Sequence, residues 1–135
     1  MSSRHNARKA AIQALYQWDL TGQEANEIES SFVQIHDMQN VDKRYLRMII
    51  DGVPGNATAL QAMIEPIIER PFKALDPVER GILRLGAYEL RFLTDVPTRV
   101  VLNELIDLAK VFGSDKSYKF VNSVMDKLAK SERKA

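Results

Sequence analysis

Cysteine is absent from the 135 residues, which excludes disulfides and thiolate-bound metal and suits a reducing compartment. Histidine is nearly absent. His5 and His36 stand apart, with no HExxH and no carboxylate cluster beside them, so no metal site is expected. No apolar run approaches the ~18 residues of a membrane span, and the N-terminus lacks the apolar stretch of a secretory signal. The expectation is a soluble, cytoplasmic protein with no membrane partner. Strand signals are missing too: no segment alternates apolar and polar residues over a strand length, and no Asn-Gly or Asp-Gly hairpin turn occurs. "GVPGNATAL" has two glycines but no preceding strand and no GK[ST], and no serine sits in a nucleophile elbow. No catalytic residue and no cofactor is assigned, and the chain is not expected to be an enzyme.

What is present is helical periodicity, in a chain whose 45% hydrophobic and 27% charged residues suffice for one sizeable core. A first helix is expected from His5 to Leu20, with Ala7, Ala11, Ile12, Leu15 and Trp18 facing inward and Thr21-Gly22 ending it. A second, from Ala25 to Met38, carries Ile28, Phe32 and Ile35. A third follows the N-cap Asp42 and carries Leu46, Ile49, Ile50 and Val53, until Pro54-Gly55 kinks or breaks it. The pattern resumes with Leu60, Met63, Ile64, Ile67 and Ile68, with another kink at Pro66. "RPFKAL" reads as a connection. In "DPVE", Asp76 caps a helix, Pro77 opens it and Glu79 completes a capping box. That helix runs to Phe92 and buries Ile82, Leu83, Leu85 and Leu90. "DVPT" starts the next, with Val100, Val101, Leu105, Ile106, Leu108 and Ala109 inside and Gly113 as a left-handed stop. The last opens at Ser114 or Asp115 and reaches Lys130. The pattern predicts one all-α domain over 1–135. It should be a compact bundle of about seven helices in two packed three-helix-type subdomains, about 1–70 and 71–135.

The net charge of +1 conceals a division. Residues 1–18 and 110–135 together hold ten basic and three acidic side chains, a net +7, whereas 19–109 hold nine basic and fifteen acidic, a net −6. Two basic ends would attract a polyanion if the fold brought them onto one face; for the extreme tail "KSERKA" simple solubility is the preferred reading. On a helical wheel of residues 117–128, Val121, Val124 and Leu128 share a narrow arc, and Phe120 lies about 75° off its centre. Lys116, Ser123 and Lys127 share the flank of Phe120. An aromatic face among ammonium groups suits unstacked bases and their phosphates; sideways packing of Phe120 on the preceding helix is the competing account. Arg4 and Arg8 are i,i+4 neighbours with Lys9 on an adjoining strip. Their repulsion is offset by a bound anion or relieved by fraying. Tyr16 extends that side or fills the bundle edge.

Three stretches, "RHNARKAAIQALYQWDL", "VERGILRLGAYEL" and "VPTRVVLNELIDLAKVFGSDKSYKFVNSVMDKL", occur in an order that resembles the NusB family of transcription antitermination factors. The resemblance covers nearly the whole chain. It implies a fold of two helical subdomains and a function: binding the single-stranded boxA RNA of ribosomal RNA leader transcripts. The implied partner is NusE, a small-subunit ribosomal protein, with the RNA tethered to elongating RNA polymerase. It implies an RNA side made of Arg4, Arg8, Lys9, Tyr16, Lys116, Ser117, Lys119, Phe120 and Asn122. It implies a NusE side at Glu79, Arg84, Tyr88 and Glu89, although Glu79 also reads as a helix cap and Tyr88 as a core residue with its hydroxyl at the rim. A homodimer is left open. Two other classes compete: a helix-turn-helix-like DNA-binding protein built on residues 98–130, and a non-catalytic adaptor that binds protein through the acidic middle.

Overall fold

The computed structural model describes Ser2–Arg133. Among the described residues the chain is all helical: α1 (Ser3–Thr21), α2 (Ala25–Ile35), α3 (Lys43–Gly55), α4 (Ala57–Ile64), α5 (Pro77–Phe92), α6 (Thr98–Phe112) and α7 (Asp115–Glu132), with a 3₁₀ turn at Phe72–Ala74. None of these helices is long and apolar enough to cross a membrane. Two compact units result, Met1–Gly55 and Asn56–Ala135.

In the first unit α1, α2 and α3 pack on one another around Ala7, Ala11, Ile12, Leu15, Ile28, Phe32, Leu46, Ile49, Ile50 and Val53, all buried. Ser2 caps α1 by accepting from the His5 N–H at 3.0 Å, and Gly22, at φ 70°, ends it in the left-handed region. The Asp42 carboxylate accepts from the Tyr45 N–H at 3.0 Å, as a cap at that position should. The second helix stops at Ile35, short of the expected Met38, and Ile35 is 73% exposed. The His36 ring, not Ile35, covers Phe32, stacked on it at 3.8 Å. Pro54 lies inside α3, which runs one residue further and ends at Gly55.

The second unit begins there, not near residue 71, because α4 packs on α5 and α7 and buries Leu60 and Ile64 in their company. "RPFKAL" forms the 3₁₀ turn within this unit, and Arg80 holds it by donating to the carbonyls of Lys73 and Leu75. The central helix α5 is buried continuously from Gly81 to Leu90. A helix apolar on most sides must be surrounded, and α4, α6 and α7 all pack against it. Gly86 lets α7 approach: the Met125 side chain occupies the space a Cβ there would take.

Both ends of α5 are closed. At the N-terminus Asp76 accepts from the Val78 N–H at 2.7 Å, and Glu79 returns the contact to the Asp76 N–H at 3.3 Å. At the C-terminus the Arg133 guanidinium donates to the carbonyls of Glu89 (3.0 Å), Leu90 (3.1 Å), Leu93 (3.1 Å) and Val96. Glu132 pairs with Arg91 through two contacts, at 2.7 and 3.2 Å. The "KSERKA" segment is therefore structural at Glu132 and Arg133, in place of the solubility role expected for it; Lys134 and Ala135 lie outside the described residues.

Two further expectations change. Val100 is 39% exposed, since α6 turns Val101, Leu105, Leu108 and Ala109 inward instead. Gly113 is extended (φ −99°, ψ −178°), not left-handed. Its requirement is space: a Cβ there would lie 2.6 Å from the Ser117 Cβ and 2.8 Å from the Ala109 carbonyl.

Arg133→Ala should lower the unfolding free energy by about 1.5–3 kcal/mol, the usual worth of hydrogen bonds from a charged group. Arg133→Lys should recover only part, because an ammonium cannot span the same acceptors. Chemical denaturation of the three proteins checks this; equal midpoints would show that the α5 terminus is satisfied by water.

Candidate nucleic-acid interface

The basic residues of the first unit divide by burial. Arg4 is exposed, with its guanidinium 4.7 Å from the centre of the Tyr45 ring and 3.9 Å from the Asp42 carboxylate. Arg8 is only 2% exposed; it donates to the Tyr45 hydroxyl at 3.1 Å and lies 5.1 Å from the same ring. Within the protein the like-charge pair is accommodated by an aromatic face and a carboxylate, in a helix that is capped and not frayed at this point. Tyr45 is the residue the sequence reasoning missed. Its signal was its place three residues after the Asp42 cap, on the inner face of α3. Lys9 is half-buried, and Tyr16 is 42% exposed. Arg4 and Tyr16 are open to solvent, whereas Arg8 is turned to the protein and held on Tyr45.

In the second unit the candidates lie on the first two turns of α7. Lys116, Lys119 and Asn122 are exposed. Val121, Val124, Met125 and Leu128 are buried, which leaves the opposite side of α7 for contact. Ser117 is buried: its hydroxyl donates to Glu79 Oε2 at 3.1 Å and accepts from the Ser114 N–H at 3.3 Å. Phe120 is half-buried at the edge of the apolar arc, and the Arg70 guanidinium lies 4.6 Å from its ring centre. An open cleft of about 340 Å³ adjoins this pair, lined also by Glu69, Ser123 and Lys127. Arg70 carried no sequence signal, because it stands in a non-periodic connection and meets Phe120 only through the fold.

The expected partner residues are mostly enclosed. Glu79 is 8% exposed and accepts from the Asp76 N–H and the Ser117 hydroxyl, with Arg70 3.7 Å away. Arg84 is buried with its guanidinium over the Phe72 ring at 4.9 Å, and Glu89 has no exposed surface. Tyr88 is buried and packs its ring on Phe92 at 5.3 Å. Ser117 and Glu79, expected on two different sides, are thus direct hydrogen-bond partners.

Comparison with known proteins adds an independent line. The NusB family model matches residues 5–130. Transcription antitermination protein NusB of Hahella chejuensis is 45% identical over 135 residues, covering 100% of this chain and 91% of its own. The protein of that name from Haemophilus influenzae is 48% identical over 128 residues, covering 95% and 89%. A solved chain described as antitermination factors NusB and NusE in complex with dsRNA superimposes with a TM-score of 0.84 at 30% identity, over 96% of this chain and 97% of that one.

The Ser117–Glu79 bond makes a local prediction. Ser117→Ala and Glu79→Ala should each destabilise by about 1.5–3 kcal/mol, the usual worth of a hydrogen bond to a charged group. Together they should cost less than the sum, by no more than the loss of either single variant, which is the coupling expected of contacting residues. A double-mutant cycle on melting curves reads the coupling directly; strict additivity would mean the bond contributes nothing.

Proposed function

This chain belongs to the NusB family of transcription antitermination factors, which are not enzymes, and on that premise we propose that it binds the boxA element of nascent ribosomal RNA leaders together with NusE. In this reading the protein performs no chemistry. It holds RNA and NusE together in the cytoplasm, so that the transcript stays tethered to elongating RNA polymerase. The observation that carries the reading is the surface of α7, where Lys116, Lys119 and Asn122 are exposed around a half-buried Phe120. Ammonium groups and an amide beside an aromatic edge suit single-stranded RNA, whose splayed bases stack on aromatics while its phosphates take the cations. The apolar stripe of the same helix is consumed by the core, and its exposed side holds neither arginine nor glutamine with which to read a duplex groove. Arg4 and Tyr16 supply the contribution of the first unit. NusE is supported as the protein partner by the solved relative described with NusB, NusE and RNA, and by the acidic balance of residues 19–109, which suits a basic ribosomal protein.

The test is a titration of the full chain with boxA-like single-stranded RNA, a scrambled RNA and the matching DNA duplex, each with and without NusE. Tightest binding to the boxA-like strand in the presence of NusE is expected. Phe120→Ala should weaken that binding by about 1–3 kcal/mol, the worth of one stacked base, and lower stability by less than the about 3–5 kcal/mol of a central core phenylalanine. Preference for the duplex would sink the reading. So would a Phe120→Ala protein that melts far lower yet binds RNA unchanged when folded.

A further inference from the structure

We infer that the cleft beside Phe120 is a subsite for one nucleotide of single-stranded RNA, with the Arg70 guanidinium as its phosphate contact and Lys127 as the second cation. The inference rests on the RNA reading above and deepens it, because Arg70 comes from the connection after α4 and not from either basic end. Three observations carry it.

The first is the state of Arg70. Its side chain is 50% exposed, and its guanidinium is held over the Phe120 ring at 4.6 Å. The carboxylate it pairs with, on Glu79, is 3.7 Å away, beyond hydrogen-bond distance. That carboxylate already accepts from the Asp76 N–H and the Ser117 hydroxyl. Arg70 is therefore positioned by an aromatic face, while its N–H donors are not needed to satisfy Glu79. A guanidinium over an aromatic ring keeps its donor fork for a phosphate.

The second is the chemistry of the cleft. Its volume, about 340 Å³, lies at the small end of the roughly 300–1,000 Å³ of ligand sites. It suits one nucleotide and is too small for a duplex. Ile67 and Val124 give it apolar lining, and Lys127 lines it together with Arg70. Glu69, also in the lining, disfavours a bare anion but can accept from an exocyclic amino group, as Glu does at base edges. The set fits a nucleotide better than inorganic phosphate.

The third is continuity. Lys116, Phe120, Ser123 and Lys127 follow one another on a single stripe of α7 at helical spacing. A strand bound at Lys116 is led along this stripe into the cleft.

The experiment uses the full chain and boxA-like single-stranded RNA at several salt concentrations, comparing wild type, Arg70→Ala, Arg70→Lys and Lys127→Ala, with the melting midpoint of each. Arg70→Ala should weaken binding about tenfold, and each alanine variant should reduce the slope of log K against log salt by about 0.7, the value for one lost contact to a single strand. Arg70→Lys should keep the slope and lose affinity, because a point charge replaces the stacked fork. Inorganic phosphate at matched ionic strength should not compete. Wild-type affinity and slope in the folded variants would overturn the subsite while leaving the RNA reading intact. If Arg70→Ala fails to fold, Arg70→Lys and Lys127→Ala decide in the same way. A wild type that binds no RNA overturns the RNA reading, and the subsite with it.

Discussion

Taking α5 out of water is the demand on which the second unit depends. A buried helix hides its side chains readily, but its first N–H and last C=O groups have no partners of their own. Each left unsatisfied in a packed interior costs about 1–3 kcal/mol. Here Asp76 and Glu79 serve the first turn, and Arg133 serves the last carbonyls. The groups that complete the two ends flank α7: Ser117, in its first turn, fixes Glu79, and Arg133 follows its last residue. The helix that carries the exposed lysines is therefore pinned at both ends by the hydrogen-bonding needs of its neighbour. A helix already held in place loses less freedom when it binds, so in the function proposed above this framework would ready the lysine-bearing face for RNA.

The first unit solves a different difficulty with an aromatic ring. Two arginines one turn apart repel each other, and one of them is almost wholly enclosed. Tyr45 gives both a π-face and gives Arg8 a hydroxyl acceptor. The connection before α3 is drawn to the start of α1 as well: the Asn6 amide donates to the Asn40 carbonyl at 2.9 Å, and the Asp42 N–H donates to the Ser3 carbonyl at 3.1 Å. Arg4 is thereby held at the rim of an ordered corner.

Local signals carried most of the fold. The Asp76-Pro77-Glu79 start of α5, the Asp42 cap and the stop at Gly22 each depend on a few adjacent residues, and each is legible in the sequence. Failures came where a partner far along the chain decides. Ile35 continued an apolar stripe, but a ring one residue later took the place beside Phe32. Gly113 looked like a left-handed stop, whereas its small size is what Ser117 requires. The division between units falls at the Pro54-Gly55 break, which the sequence displays, yet the assignment of α4 depends on what Leu60 and Ile64 pack against. For the proposed interface, the exposure of the lysines and the edge position of Phe120 were legible from charge and wheel position. Arg70 was not, since it matters only through a contact that folding creates, and Tyr45 showed only its place after the Asp42 cap and not the two arginines it meets.

Arg133 has a consequence in time. Leu90 and Arg133 are 43 positions apart, and ribosomes add about 5–20 residues per second. For roughly 2–9 s of synthesis, by that rate, the carbonyl end of α5 has been made but its guanidinium has not. The first unit, complete at Gly55, has no such wait and can fold while the rest is still being translated. In the second unit α7 packs on α5 and α6 only once residues 115–132 have emerged, and the last α5 carbonyls gain their guanidinium only with Arg133, so the lysine-bearing helix is the last of these elements to be secured.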